Sequence, residues 1–221
     1  RPMIIINASD LAYGVRFSFI QDYFDLLCSD IRDFPVASAV TASSAVPIVF
    51  NPVVVENYPG CPDYEPPPAA LKKAEESDEL KDMLAGMGSY NDKVERKYIH
   101  MVDGGITDNM GLRAMTDVVT VSGGPQEMIN KMNRKLPSYV VVLSVNASTE
   151  KHSDMNRSNK TPSMLASMNA MTDVQLHRYN AATVDEVRSS LHTWAELMST
   201  PDHQIKPYFI EVTFEGVTQP Q

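Results

Sequence analysis

The residues best suited to chemistry stand in one segment, Tyr98-Ile99-His100-Met101-Val102-Asp103-Gly104-Gly105-Ile106-Thr107-Asp108-Asn109. The run from Tyr98 to Val102 reads as a strand, and a carboxylate follows directly at its end, the edge where α/β enzymes build their sites. Two glycines then let the backbone turn tightly and leave room beside the acid. A carboxylate held in this way can take a proton from a hydroxyl, which makes Asp103 the candidate general base. Taken alone, the same three residues also read as a plain Asp-Gly turn.

A second segment, Phe34-Pro35-Val36-Ala37-Ser38-Ala39-Val40-Thr41-Ala42-Ser43-Ser44-Ala45-Val46-Pro47, is built from small residues. Proline at its start and alanines at 37, 39, 42 and 45 predict a helix that packs closely, with Pro47 ending it. Close packing of this kind can line a site without supplying its reacting atoms.

The elements that must position these residues follow from periodicity. Met3 to Asn7 reads as a buried strand ending in the polar run Asn7-Ala8-Ser9-Asp10, and Ile48 to Phe50 and Val53 to Val55 read as extended around Pro52. Residues 61–94, with Pro66-Pro67-Pro68 and a charged stretch from Lys72 to Asp82, read as a mobile surface insertion holding one short polar helix. After Asp103 a helix capped by Asp108-Asn109 should carry Leu112, Met115 and Val118 or Val119 on one face. A short helix over Gln126 to Lys135, a strand over Tyr139 to Val145 buried on both faces, two helices over 162–179 and 182–199, and an alternating strand over Tyr208 to Phe214 complete the reading. Alternating strands and helices predict a three-layer α/β/α sandwich with a mostly parallel central sheet, incomplete in this chain, in one domain over residues 1–221.

Composition narrows the function classes. The chain has 221 residues, 43% hydrophobic and 21% charged, a pattern expected of a globular protein, with an excess of methionine and proline. A formal net charge of -9 argues against a nucleic-acid partner, which needs clustered Lys and Arg. Cys28 and Cys61 can form one bridge or stay reduced, and their spacing gives no metal-ligand pattern, so no metal or other cofactor is expected. No run of about eighteen apolar residues is present to span a bilayer. The chain opens at Arg1-Pro2 without an initiator Met or a signal peptide, so its natural start is expected upstream.

Together, Ala42-Ser43-Ser44-Ala45-Val46-Pro47 and Asp103-Gly104-Gly105 resemble the Ala-Ser-x-x-x-Pro and Asp-Gly-Gly blocks of the patatin-like phospholipase family, in the family's order. The likeness extends to Asn7-Ala8-Ser9-Asp10 and Phe24-Asp25-Leu26-Leu27-Cys28-Ser29-Asp30, and more faintly to Phe209-Ile210-Glu211-Val212, and so covers the later part of the catalytic domain. The family's glycine-rich oxyanion loop and its Gly-x-Ser-x-Gly elbow do not occur in these residues. The nearest imitation, Gly86-Met87-Gly88-Ser89, lacks the last glycine, and Ser89 is not expected to act.

The resemblance implies a serine acyl hydrolase of lipase or phospholipase type working through a Ser-Asp dyad. Asp103 would be the base, Gly104, Gly105, Ser43 and Pro47 would shape the site, and the nucleophile would be encoded before Arg1. This chain alone should then turn over no ester. The expected partners are an acyl lipid or ester substrate and, peripherally, a membrane. The resemblance leans toward a secreted or cell-envelope bacterial protein.

A non-catalytic lipid- or partner-binding module of the same kind is the alternative reading, and an unrelated α/β module with a chance Asp-Gly-Gly turn is a third. A Ser-His-Asp triad is the competing catalytic design. His100 sits at odd spacing from Asp103 on one strand and should face away. His152, His177, His192 and His203 read as surface or satisfied residues. Met164, Met168 and Met171, with Leu165 and Leu176, predict a core-packing stripe that could also meet an acyl chain.

Overall fold

The structure, a computed structural model, describes residues 4–147, 154–157 and 159–213. His152 and Phe214, the last residue of the expected closing strand, lie outside these. The chain divides into two compact units, residues 1–135 and 136–221.

The first unit contains β1 (Asn7–Asp10), β2 (Val15–Ser18), α1 (Gln21–Leu26), α2 (Val36–Ser43), β3 (Val53–Glu56), α3 (Pro68–Ala74), α4 (Asp78–Gly88), β4 (Tyr98–Asp103), α5 (Gly105–Asp108), α6 (Arg113–Val121) and α7 (Pro125–Lys131). Its sheet has the order β2-β1-β4-β3, and every neighbouring pair is antiparallel. The expected sandwich around a mostly parallel central sheet is therefore wrong. The physical reason begins at the first turn. Leu11 to Gly14 joins β1 to β2, too short for the crossover of a dozen or more residues that a parallel pair requires. Asp10 builds that turn: its carbonyl accepts the Gly14 N–H at 2.8 Å and its Oδ1 the Ala12 N–H at 3.0 Å, with Gly14 at φ +63°. Ala8 then pairs with Phe17 on one side and with Asp103 on the other.

Alternation along these strands separates two faces. One carries Ala8, Phe17, Met101, Ile99 and Val55 into the main core, where they meet Tyr23 and Phe24 of α1, Ala39 and Ala42 of α2, and Met87 and Tyr90. Phe17 makes edge contacts with Phe19, Tyr23 and Phe24 at centroid distances of 5.3, 5.1 and 6.0 Å. Each such aromatic, removed from water, contributes about 2 to 3 kcal/mol. The other face carries Ser9, Arg16, Ser18 and His100, so His100 points away from Asp103.

Two local expectations are corrected here. The first strand is not the apolar run from Met3 but the polar tetrapeptide behind it, with Ile4 79% exposed. Its buried Asp10 pairs with the buried Arg96 and accepts a hydrogen bond from the Tyr90 hydroxyl at 3.2 Å, so partners distant in sequence make the polar strand tolerable. Residues 61–94 are not a bare surface insertion. Cys61 is disulfide-bonded to Cys28, Ser77 caps α4 through the Leu80 N–H, and Leu84, Met87 and Tyr90 are buried. Ser89 is tied up structurally, bonded to the Gly86 carbonyl and to Arg96.

The second unit is a β-α-β arrangement: β5 (Tyr139–Asn146), the single helix α8 (Met164–Met198) and β6 (Lys206–Thr213), with β5 and β6 parallel from Tyr139↔Lys206 to Asn146↔Thr213. One helix replaces the two expected, because nothing between 179 and 182 breaks it and Asn180 and Thr183 are buried. Val187, Leu191, Ala195 and Met198 form its buried side. Met164, Met168 and Met171 are exposed, contrary to the core stripe expected of them. Nor is β5 buried on both faces: Val142 and Ser144 are buried, but Tyr139, Val141, Leu143 and Val145 are exposed, beside exposed Tyr208, Ile210 and Val212 of β6. No helix among the described residues is long and apolar enough to cross a membrane.

Candidate functional site

Asp103 is the last residue of β4 and is half-buried. Its main chain is held from both sides. The Asp103 N–H donates to the Ala45 carbonyl at 3.0 Å, and the Gly104 N–H donates to the Ser43 carbonyl at 3.1 Å. The Asp103 carbonyl accepts from the Ser9 hydroxyl at 2.8 Å, and that hydroxyl also shares a 2.8 Å hydrogen bond with Thr107. Three separate stretches of sequence, 7–10, 43–45 and 103–107, thus converge on one corner.

The side chain is oriented as well. Asp103 Oδ1 accepts the Gly105 N–H at 2.7 Å, so one carboxylate oxygen is fixed by the turn that follows the strand. Both glycines are needed for this. A Cβ on Gly104 would lie 2.4 Å from the Asn7 carbonyl oxygen, a backbone atom that cannot swing aside. A Cβ on Gly105 would lie 2.8 Å from Asn109 Oδ1 and 3.0 Å from Asp103 Oδ1.

Of the residues expected to shape the site, Gly104 and Gly105 adjoin Asp103 directly, and Ser43 contributes through its carbonyl. Pro47 is half-buried in the turn beyond α2, which the Phe50 N–H closes onto the Val46 carbonyl at 2.9 Å. Asp108 follows within one turn and is buried. Its two oxygens accept the Arg113 and Ala114 N–H groups at 3.2 and 2.8 Å, so it caps α6 as expected, while burial pushes its carboxyl above the ordinary range. Ser9 and Thr107 were not singled out by sequence reasoning. The only signal for Ser9 is a small hydroxyl in a tetrapeptide that has no reason to be a strand except its partners.

A Gly-x-Ser-x-Gly elbow does not occur in the chain, and the corner itself offers an oriented acid. The large cavity of the first unit, about 1090 Å³, lies elsewhere: Asp103 and its holding residues are not among its lining residues. It opens between α1, the 59–67 loop, α4 and α6. Arg16 and Asp117 form an ion pair in its lining, with Arg16 6% exposed. Burial works against the Arg16 charge, but Tyr23 and Asp117 more than offset it, and burial likewise raises the Tyr23 phenol. Burial pushes Tyr64, also in the lining, up to about 12. In the second unit His177 and His192 are exposed, and His203 bonds to the Pro137 carbonyl at 3.1 Å. Among the described residues, no cluster of His, Cys, Asp or Glu could hold a metal ion.

No family model, no curated protein and no solved structure matches this chain.

Proposed function

We propose that Asp103 is the proton-accepting partner of a serine acyl hydrolase, and that the serine is supplied by polypeptide other than these residues. The observation that carries this reading is the pair of backbone hydrogen bonds from Asp103 and Gly104 to Ala45 and Ser43. They join the two sequence blocks that resemble the patatin-like family, although those blocks lie about sixty residues apart in the chain. The sheet is not of the type the resemblance implied, so the reading rests on this corner and not on the fold.

In the proposed step the Asp103 carboxylate accepts the serine proton as the hydroxyl oxygen attacks an ester carbonyl. It then returns that proton to the departing alcohol, and water hydrolyses the acyl-enzyme in a second cycle. Oδ1 is tied to the Gly105 N–H, which orients the carboxylate for transfer through its other oxygen. An ordinary aspartate, with a pKa of about 3.9, is a weak base for an alcohol, so proximity and exclusion of water must make up the difference. The substrate class is an acyl lipid or related ester, and the enzyme would meet it at a membrane surface as a peripheral protein.

The test compares short-chain nitrophenyl ester hydrolysis by a polypeptide that joins these residues to the serine-bearing segment with the same polypeptide carrying Asp103→Asn. A loss of about 100- to 10,000-fold is expected for a general base. Equal rates would remove Asp103 from the mechanism and leave the corner as a structural turn in a binding module.

A further inference from the structure

We propose that the cavity at the β2 edge of the first unit binds an organic cation with an apolar body, such as an alkylammonium or quaternary-ammonium compound. This site is separate from the Asp103 corner and does not depend on the hydrolase reading.

The cavity is large enough for such a ligand. At about 1090 Å³ it lies just above the usual range for small-molecule sites, roughly 300 to 1,000 Å³. Its inner wall is apolar and adaptable: Leu26 from α1, Met83 and Met87 from α4, and Val118 and Val121 from α6. Methionine pairs suit ligands of irregular shape. Tyr23 and Tyr64 also line it, rings of the kind that attract cations, and burial raises both phenols.

Charge decides the class of ligand. The lining carries two basic residues: Arg16, which is paired with Asp117, and Lys131, whose ammonium donates to the Ser122 carbonyl at 3.1 Å. Against them stand Asp22, Asp25, Asp63 and Glu65 on the exposed rim, together with Asp30, which Arg32 already pairs. A low-dielectric wall beneath a rim of one sign concentrates ions of the opposite sign. An anion would meet repulsion at the mouth, where carboxylates outnumber the basic residues.

The wall is also held in shape. The disulfide between Cys28 and Cys61, both lining residues, fixes the 59–67 loop to the end of α1, and Tyr64 is clamped by reciprocal hydrogen bonds with Asn91 at 2.8 and 3.0 Å. A wall fixed before the ligand arrives reduces the ordering cost of binding.

Calorimetric titration of the full chain with hexyltrimethylammonium, with hexanesulfonate as the matched anion, tests this. The cation should bind saturably with one site and weaken as salt rises, and the anion should not bind. Asp63→Asn combined with Glu65→Gln, both exposed, should weaken the cation about fivefold without altering the melting temperature. Val121→Trp, which fills the cavity from α6, should abolish binding. Equal binding of the two probes, absence of saturable cation binding, or full binding by a folded Val121→Trp protein would overturn the proposal. If Val121→Trp does not fold, the rim pair decides, and unchanged affinity there overturns it as well.

Discussion

The Asp103 corner and the α1–α4–α6 cavity occupy one unit but are built in opposite ways. At the corner, main-chain groups do the positioning: Ala45 and Ser43 carbonyls accept from Asp103 and Gly104, and the Gly105 N–H holds the carboxylate. No side chain could be added at Gly104 without moving Asn7. The cavity is lined by side chains from three helices and a loop, and a covalent bond keeps the loop in place. Each region therefore tolerates different changes. A backbone-built site is intolerant of added volume and indifferent to surface charge, whereas a side-chain-built cavity tolerates volume changes at its wall and answers to charge and to its cross-link.

The largest effect expected from breaking this contrast is removal of the cross-link. The bonded cysteines are 33 residues apart, and closing a loop of that length restricts the unfolded chain by about 3 to 4 kcal/mol on the chain-entropy account. The double substitution Cys28→Ser with Cys61→Ser should lower stability by about that amount in chemical denaturation. It should also weaken hexyltrimethylammonium binding. Asp103 activity, measured well below the melting temperature, should change little, because no residue of the corner touches the bridge. Equal damage to both regions would show that the unit is a single mechanical body.

Adding one methyl group at either glycine separates stability from positioning at the corner. Gly104→Ala drives a Cβ into a backbone carbonyl, so the strand end must shift, at a cost of about 3 kcal/mol and with loss of the hydrogen bond to Ser43. Gly105→Ala meets only the ends of two side chains, Asn109 and Asp103, and lies in α5, where alanine is favoured over glycine by about 1 kcal/mol. Its melting temperature should stay near that of the parent, whereas ester turnover in the serine-containing polypeptide should fall about tenfold or more as Asp103 Oδ1 is displaced. A Gly105→Ala protein with full activity would mean that the orientation of the carboxylate does not matter. Cavity binding should survive both substitutions wherever the protein folds.

Much of the corner was legible in the sequence, and most of the architecture was not. The strand ending at Asp103, the small-residue helix before Pro47 and the capping of α6 by Asp108 follow from local chemistry: an apolar run, alanine spacing, and an acid ahead of a helical pattern. The sheet's direction was misread because apolar runs report burial and not pairing. β2 alternates as Val15-Arg16-Phe17-Ser18, but it is only four residues long and is buried on both faces, Arg16 and Ser18 included. Its polar residues are satisfied by Asp117 and Asn7, partners that periodicity cannot reveal. The cavity was invisible for a related reason. Its walls come from residues 16–30, 59–67, 83–87 and 117–131, and the middle two ranges fall in a segment whose prolines and charges read as surface. The polar residues of that segment do face outward, but a sparse set, Leu84, Met87 and Tyr90, turns inward at helical spacing.

The smallest effect concerns Tyr64 and gives the contrast a pH signature. Its phenol lies in the cavity wall, with the hydroxyl 3.9 Å from the Met87 sulfur, and burial raises it to about 12, against about 10 when unfolded. The folded state therefore retains the proton after the unfolded chain has released it. Whatever stability this difference contributes is complete below about pH 10 and is lost as pH rises from there toward about 12. Tyr64→Phe removes the titration and only one weak contact, so near neutral pH its stability should lie within about 1 kcal/mol of the parent. As pH rises through that window, the substituted protein should lose less stability than the parent, and the two denaturation midpoints should converge or cross. The Asp103 corner holds no such phenol, so Gly105→Ala should leave both the height and the slope of the curve near those of the parent. Parallel curves for Tyr64→Phe and the parent would mean that the Tyr64 hydroxyl is solvated in the folded protein, and that the cavity wall is more open to water than its burial implies.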